Sequence, residues 1–269
     1  MQRTVLSDRF TVIAVAVIAY AGAKICHEII GHCSMAAIVG NRCRLLSATY
    51  IPLVKEITDF HAWDYNLILI AGSTANWIAG LVCLGLLRAW RTARPALRYF
   101  LWLSMCVNLF LPSTYMAAAP IIRYGDSYFL ISNLSGQLFW RSVLVLAGAV
   151  TCWLSFRLCR TELVRLIGFG GRAPRRVAWE LVAPAYVAGG VVTVAAGLFS
   201  RLEFKWAQLE AVGGSFGLTV WLLLLPLSVS EAPAPGAHPF IIPRSVGWIV
   251  AGTLIGLTFI GVLGPGIPL

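Results

Sequence analysis

The chain has 269 residues, of which 59% are hydrophobic and only 12% charged, with a mean hydropathy of +0.80 and a formal net charge of +10. So apolar a composition excludes a soluble domain, and a spanning helix needs only roughly 20 mostly apolar residues, so several runs here are long enough to cross a bilayer. The basic excess does not point to nucleic acid, because the arginines sit in short juxtamembrane stretches rather than on a folded basic face interleaved with aromatics.

The pattern predicts an all-α polytopic membrane protein with about six or seven transmembrane helices and a short β-like hairpin after the first. The first crossing runs from near Phe10 to just before Gly40. Arg3 and Arg9 ahead of an apolar run ending in Ala21-Gly22-Ala23 imitate a signal peptide, but the run continues to Val39, too long for a signal core. It reads as a spanning helix. The segment Asn41 to Tyr65 alternates polar and β-branched residues (Arg42, Arg44, Ser47, Thr49, Ile51) and is expected to form the hairpin at the membrane surface.

Further crossings are expected from about Asn66 to Leu87, Tyr99 to Ala119, Trp140 to Phe156, Val177 to Phe199, Gly214 to Ser230 and Val246 to Leu263. Polar residues concentrate in the first three. Glu231 to Ala237 reads as a loop, and no internal repeat suggests an inverted-repeat transporter.

Arg88, Arg91, Arg94 and Arg98 cluster after the second crossing, and Arg157, Arg160, Arg165, Arg172, Arg175 and Arg176 after the fourth. Such loops stay in the cytoplasm. The expectation is therefore a multi-pass protein of a bacterial-type inner membrane, with a cytoplasmic N-terminus, Arg42 to Asp64 outside, and the C-terminus outside if there are seven crossings. Seven cysteines lack any CxxC pair. Cys26, Cys33, Cys83, Cys106 and Cys152 fall in apolar runs where a small hydrophobe is expected, so neither a disulfide framework nor a structural zinc site is predicted.

Chemistry concentrates in His27-Glu28-Ile29-Ile30-Gly31-His32, which puts two imidazoles and a carboxylate in hydrocarbon, where ionisable groups mark functional sites. Two histidines four residues apart share one face of an α-helix and can chelate one ion. Here they are five apart. Five residues turn about 140° past a full circle, so in a regular helix the rings diverge. A π-bulge or broken turn at Gly31 realigns His27 and His32, whereas an undistorted helix would pair Glu28 with His32. The competing reading is that these groups only hydrogen-bond between packed helices.

These residues resemble the site-2 protease family of intramembrane zinc metalloproteases, whose first core helix carries His-Glu-x-Gly-His or a close variant, and the extra residue inside the motif is a departure from it. Cys33-Ser-Met-Ala-Ala-Ile-Val-Gly40 followed by Asn41-Arg-Cys-Arg44 is similar to the family's continuation into a basic hairpin. Ala71-Gly72-Ser73-Thr74-Ala75-Asn76 is similar to its Ala-Gly-x-x-x-Asn element. Asn108-Leu-Phe-Leu-Pro112 with Gly125-Asp126-Ser127 is similar, over a longer gap, to its Asn-x-x-Pro and Asp-Gly elements. The resemblance implies a Zn²⁺ cofactor held by His27, His32 and Asp126, Glu28 as the catalytic base, and Asn76 and Asn108 near the substrate. It also implies a protease-like core over 1–135, with the helices of 136–269 left without a role.

Two functions of different class follow. One is a metallopeptidase that cleaves a transmembrane or membrane-adjacent protein substrate, with a strand of that substrate adding to the hairpin. The other is a non-proteolytic metal-binding subunit or assembly factor acting on a partner subunit.

Overall fold

The computed structural model describes residues 6–48, 62–168, 173–200, 209–230 and 240–269. Helices dominate. In chain order they are α1 (Arg9–Ile38), α2 (Ala62–Ala89), α3 (Pro95–Ile122), the short α4 (Asp126–Ile131), α5 (Gln137–Ile167), α6 (Pro174–Leu198), α7 (Leu209–Gly217 leading into Trp221–Leu227) and α8 (Val246–Leu263). Among the described residues, six of these helices are long and apolar enough to cross a membrane, and α7 is a shorter apolar helix.

Strand β1 (Leu45–Leu46) pairs antiparallel with β2 (Ile267–Pro268). That pairing brings residues 267–268 to the face of the bundle where α1 ends, as does the bond from the Ala48 N–H to the Leu263 carbonyl. The opposite face is fixed by the Asp8 N–H donating to Ile242 and the Ser245 N–H donating to Thr11 Oγ1. Helices α1 and α8 therefore run in the same direction through the bundle.

Most of the expected hairpin, residues 49–61, lies outside the described residues. Among the described residues, β1 finds its partner more than two hundred residues away. The C-terminal strand occupies an edge of β1 that a substrate strand was expected to use.

The core centres on α3, which is buried almost continuously from Leu101 to Ser113 because α1, α2 and α5 all pack against it. Its large side chains carry polar tips that hydrocarbon cannot satisfy, and each has a partner. The Tyr99 hydroxyl donates to the Leu181 carbonyl (2.8 Å) and Trp102 Nε1 to the Cys159 carbonyl (3.2 Å). Small residues set the spacing between helices: a Cβ on Gly148 of α5 would lie 2.5 Å from the Ala117 N of α3, and one on Gly252 of α8 would lie 2.7 Å from the Ala14 Cα of α1. One hydrophobic cluster spans α1, α2, α3, α5, α6, α7 and α8. Outward faces remain apolar, as on α5, where Leu138, Phe139, Leu146 and Trp153 are exposed to what would be lipid.

The cysteine expectation is overturned at one pair. Cys33 and Cys43 form a disulfide with their Cα atoms 5.8 Å apart, while Cys26, Cys83, Cys106, Cys152 and Cys159 are free. The reason is local. Gly40 takes a left-handed conformation (φ 74°) that stops α1, and the Asn41 N–H bonds back to the Ala36 carbonyl (2.8 Å), folding the following residues against the last turns of α1. Cys43 is thereby brought back onto Cys33, which stays within α1. Digestion of unreduced protein is expected to yield Cys33 and Cys43 as one linked peptide pair with the other five thiols open to alkylation; recovery of alkylated Cys33 from unreduced protein would contradict this pairing.

Candidate metal centre

The five-residue spacing is accommodated by the backbone. Cys26–Cys33 forms a π-helix inside α1, with α-helix on both sides, and this wider turn brings residues five apart onto one side. The imidazoles of His27 and His32 meet edge to face, ring centroids 4.8 Å apart. Gly31 is not among the residues of positive φ, so its backbone freedom is not what the turn uses. It serves close approach instead: a Cβ there would lie 2.5 Å from the Cα of Gly72 on α2.

Hydrogen bonds fix both tautomers. His32 Nδ1 lies 2.7 Å from the Ile68 carbonyl, which only accepts, so the proton sits on Nδ1 and Nε2 keeps its lone pair. His27 Nδ1 lies 2.8 Å from Asn76 Oδ1. The orientation of that amide follows from its other bonds, because Asn76 Nδ2 donates to the Ala23 carbonyl (2.9 Å) and to Asn108 Oδ1 (2.7 Å). Asn108 is oriented in turn by donating to the Ser104 carbonyl (2.9 Å). Asn76 therefore accepts from His27, whose Nε2 is left as a second free lone pair.

These two nitrogens face a carboxylate. The Nε2 atoms are 3.2 Å apart, and Asp126 Oδ2 lies 3.4 Å from that of His27 and 3.3 Å from that of His32. Three acceptors this close repel unless positive charge lies among them. A tetrahedral ion with bonds of about 2.0–2.1 Å has ligands about 3.3–3.4 Å apart, which is the spacing found here. Among the described residues, His27, His32 and Asp126 form the group suited to hold a metal ion.

Asp126 reaches the site through a turn that neither helix could supply. Arg123 ends α3 with a left-handed backbone (φ 59°), and Gly125 (φ 98°) lies so close to Tyr115 that a Cβ would run into its hydroxyl. The Asp126 N–H then donates to that hydroxyl (3.2 Å), and α4 begins with the carboxylate turned toward the imidazoles. The Asp126 carboxylate thus faces both Nε2 lone pairs. Its side chain is 21% exposed against 6% and 10% for the histidines, so the site opens on the Asp126 side.

Glu28 is buried beside His27 and makes no hydrogen bond or ion pair to the described residues. Lys24, one turn earlier and also buried, does not form an ion pair with it. The described bonds of Asn76 and Asn108 run to the protein itself. The Asn76 amide hydrogens are already used and Asn108 does not reach the imidazoles directly, so both orient His27. His61 and His238 lie outside the described residues. Two participants left no readable trace in the chain: the Ile68 carbonyl, because backbone atoms are common to every residue, and Tyr115, eleven residues before Asp126. Gly72, legible only as part of the Ala-Gly-x-x-x-Asn element, lies against both imidazoles, where a Cβ would sit 2.5 Å from His32 Nε2 and 2.9 Å from His27 Cε1.

Fold and site together define a polytopic helical membrane protein with a buried His-His-Asp cluster suited to a metal ion. In comparison with known proteins the chain matches no family model, no curated protein and no solved structure.

Removing a group that orients a ligand typically costs 10–100-fold in metal affinity. Asn76→Ala is expected to weaken divalent-ion binding by about that factor, and His32→Ala to abolish it, as read by metal analysis after competition with a graded chelator. Unchanged affinity in Asn76→Ala would mean that His27 is oriented by something other than this amide.

Proposed function

We propose that this protein is a membrane-embedded zinc metallopeptidase that cleaves a transmembrane or membrane-adjacent protein, on a scaffold akin to the site-2 protease family. The supporting observation is the meeting of His27 Nε2, His32 Nε2 and Asp126 Oδ2 at tetrahedral spacing beside a buried, unpartnered Glu28. Two imidazoles and one carboxylate are a donor set that suits zinc and leaves a fourth position for water or substrate.

Bound there, zinc would supply Lewis acidity, polarising a carbonyl and lowering the pKa of water toward neutrality. The chain's own residues do the rest. Glu28 accepts a proton from the attacking water as its oxygen bonds to the peptide carbon, then delivers that proton to the nitrogen as the C–N bond breaks. His27 and His32 keep their Nδ1 protons on Asn76 and Ile68 throughout, so neither ring rotates or competes for the proton. Access comes from the Asp126 side, the more open edge of the site. Asn76 does not donate to a developing oxyanion, since its amide hydrogens are engaged by the Ala23 carbonyl and Asn108.

The test is Glu28→Gln, which keeps the shape but cannot take a proton. Wild-type protein reconstituted with a membrane proteome is expected to generate new N-termini in or beside transmembrane segments, with Glu28→Gln slower by about 10²–10⁴-fold at equal metal content. Cleavage by Glu28→Gln at the wild-type rate would remove Glu28 as the base. If metal-loaded wild type generates no new N-termini, the peptidase reading fails and the metal-binding subunit takes its place.

A further inference from the structure

A second polar site lies at the opposite face of the bundle, where α2 and α5 end and α3 begins. Arg88, Arg91, Arg98, Glu162 and Arg165, with Leu87 and Leu166, line a cavity of about 410 Å³. Clustered arginines at a membrane surface are ordinary topology signals, usually splayed into water. These converge. Glu162 is almost fully buried, and a single oxygen of it, Oε1, accepts from Arg88 Nε (2.9 Å), Arg88 Nη2 (2.7 Å) and Arg165 Nη1 (2.9 Å).

Among the described residues, Glu162 is the one carboxylate lining the cavity. Four guanidinium groups there against one carboxylate leave three positive charges in excess. Arg98 carries the second indication: its Nε is buried and has no hydrogen-bond partner, a donor that proteins rarely leave unmet. Arg91 Nε is occupied by the Arg88 carbonyl (3.2 Å), which leaves its terminal nitrogens to face outward. The N-terminus of α3, begun by Pro95 without a side-chain cap, adds the positive end of a helix dipole to the same region.

We infer that this cavity binds a phosphate group, held by Arg98, Arg91, Arg88 and Arg165. Guanidinium forks match phosphate oxygens two at a time, and a phosphate of one or two negative charges offsets most of the excess while giving Arg98 Nε an acceptor. At this depth the phosphate comes either from the headgroup of an anionic lipid or from a soluble phosphate compound. The site stands independently of the metal centre, whose ligands lie toward the other face.

The measurement uses full-length protein in nanodiscs of phosphatidylcholine with a minority of phosphatidylglycerol. Native mass spectrometry of the released protein counts retained phosphatidylglycerol, and thermal unfolding in pure phosphatidylcholine nanodiscs reports the effect of added inorganic phosphate. Wild type is expected to retain phosphatidylglycerol or to be stabilised by phosphate, and Arg98→Gln to weaken whichever is seen by about tenfold, the loss of one charge-assisted bond. Selective lipid retention without a phosphate effect assigns a lipid headgroup; stabilisation by phosphate without lipid selectivity assigns a soluble phosphate. Metal content serves as the folding check, with Arg91→Gln as the second variant should Arg98→Gln lose it. Arg94→Gln, exposed and outside the cavity lining, is the control. Wild type that neither retains phosphatidylglycerol nor responds to phosphate overturns the inference, as does an Arg98→Gln protein indistinguishable from Arg94→Gln.

Discussion

Hydrocarbon gives a buried polar group no water to fall back on, and α1 carries the most demanding set in the chain: Lys24, His27, Glu28 and His32 are all buried on one helix. The arrangement around the candidate metal centre follows from satisfying its two imidazoles. The π-turn aligns the two imidazoles, α2 supplies Asn76 and the Ile68 carbonyl to their Nδ1 sides, and α3 supplies Asn108 behind Asn76. With the outer nitrogens committed, the inner pair can only point at each other and at Asp126. A cation is then the natural occupant of the gap.

This explains why glycine appears where it does. Gly31 and Gly72 face one another, and Gly72 also lies against both imidazoles, so the approach of α2 to α1 is limited by hydrogen atoms rather than by side chains. A methyl at either position would push α2 off the π-turn and take Asn76 and Ile68 with it. Close helix contact and ligand orientation are thus one constraint, met by two small residues.

The passes through the bilayer were legible because their signal is long-range composition: runs of apolar residues bounded by arginines need no partner to be recognised. His27, Glu28 and His32 were legible for the same reason in reverse, as costly groups in an apolar run. The π-turn could be anticipated from their spacing alone, since a straight helix cannot bring both rings to one point. What stayed hidden depends on where the chain returns in space. The disulfide of Cys33 with Cys43 requires the reversal at Gly40, the pairing of Leu45–Leu46 with Ile267–Pro268 joins distant ends, and the bonds of Asn76 turn an apparent substrate contact into a support for His27. The phosphate cavity likewise needs α2, α3 and α5 assembled before the arginines share one space.

The contact of β1 with β2, together with the seat of Gly252 on Ala14, has a consequence for how the protein is made. A ribosome delivers α1 to the membrane more than two hundred residues before α8, so the helix bearing the imidazoles lacks one of its flanking neighbours through the synthesis of everything between them. Strand β1 likewise has no partner until residues 267–268 emerge. The packing around the π-turn is therefore completed late, and a ribosome stalled before α8 would leave in the bilayer a chain with its histidines present but its first helix still exposed to lipid along the α8 seam.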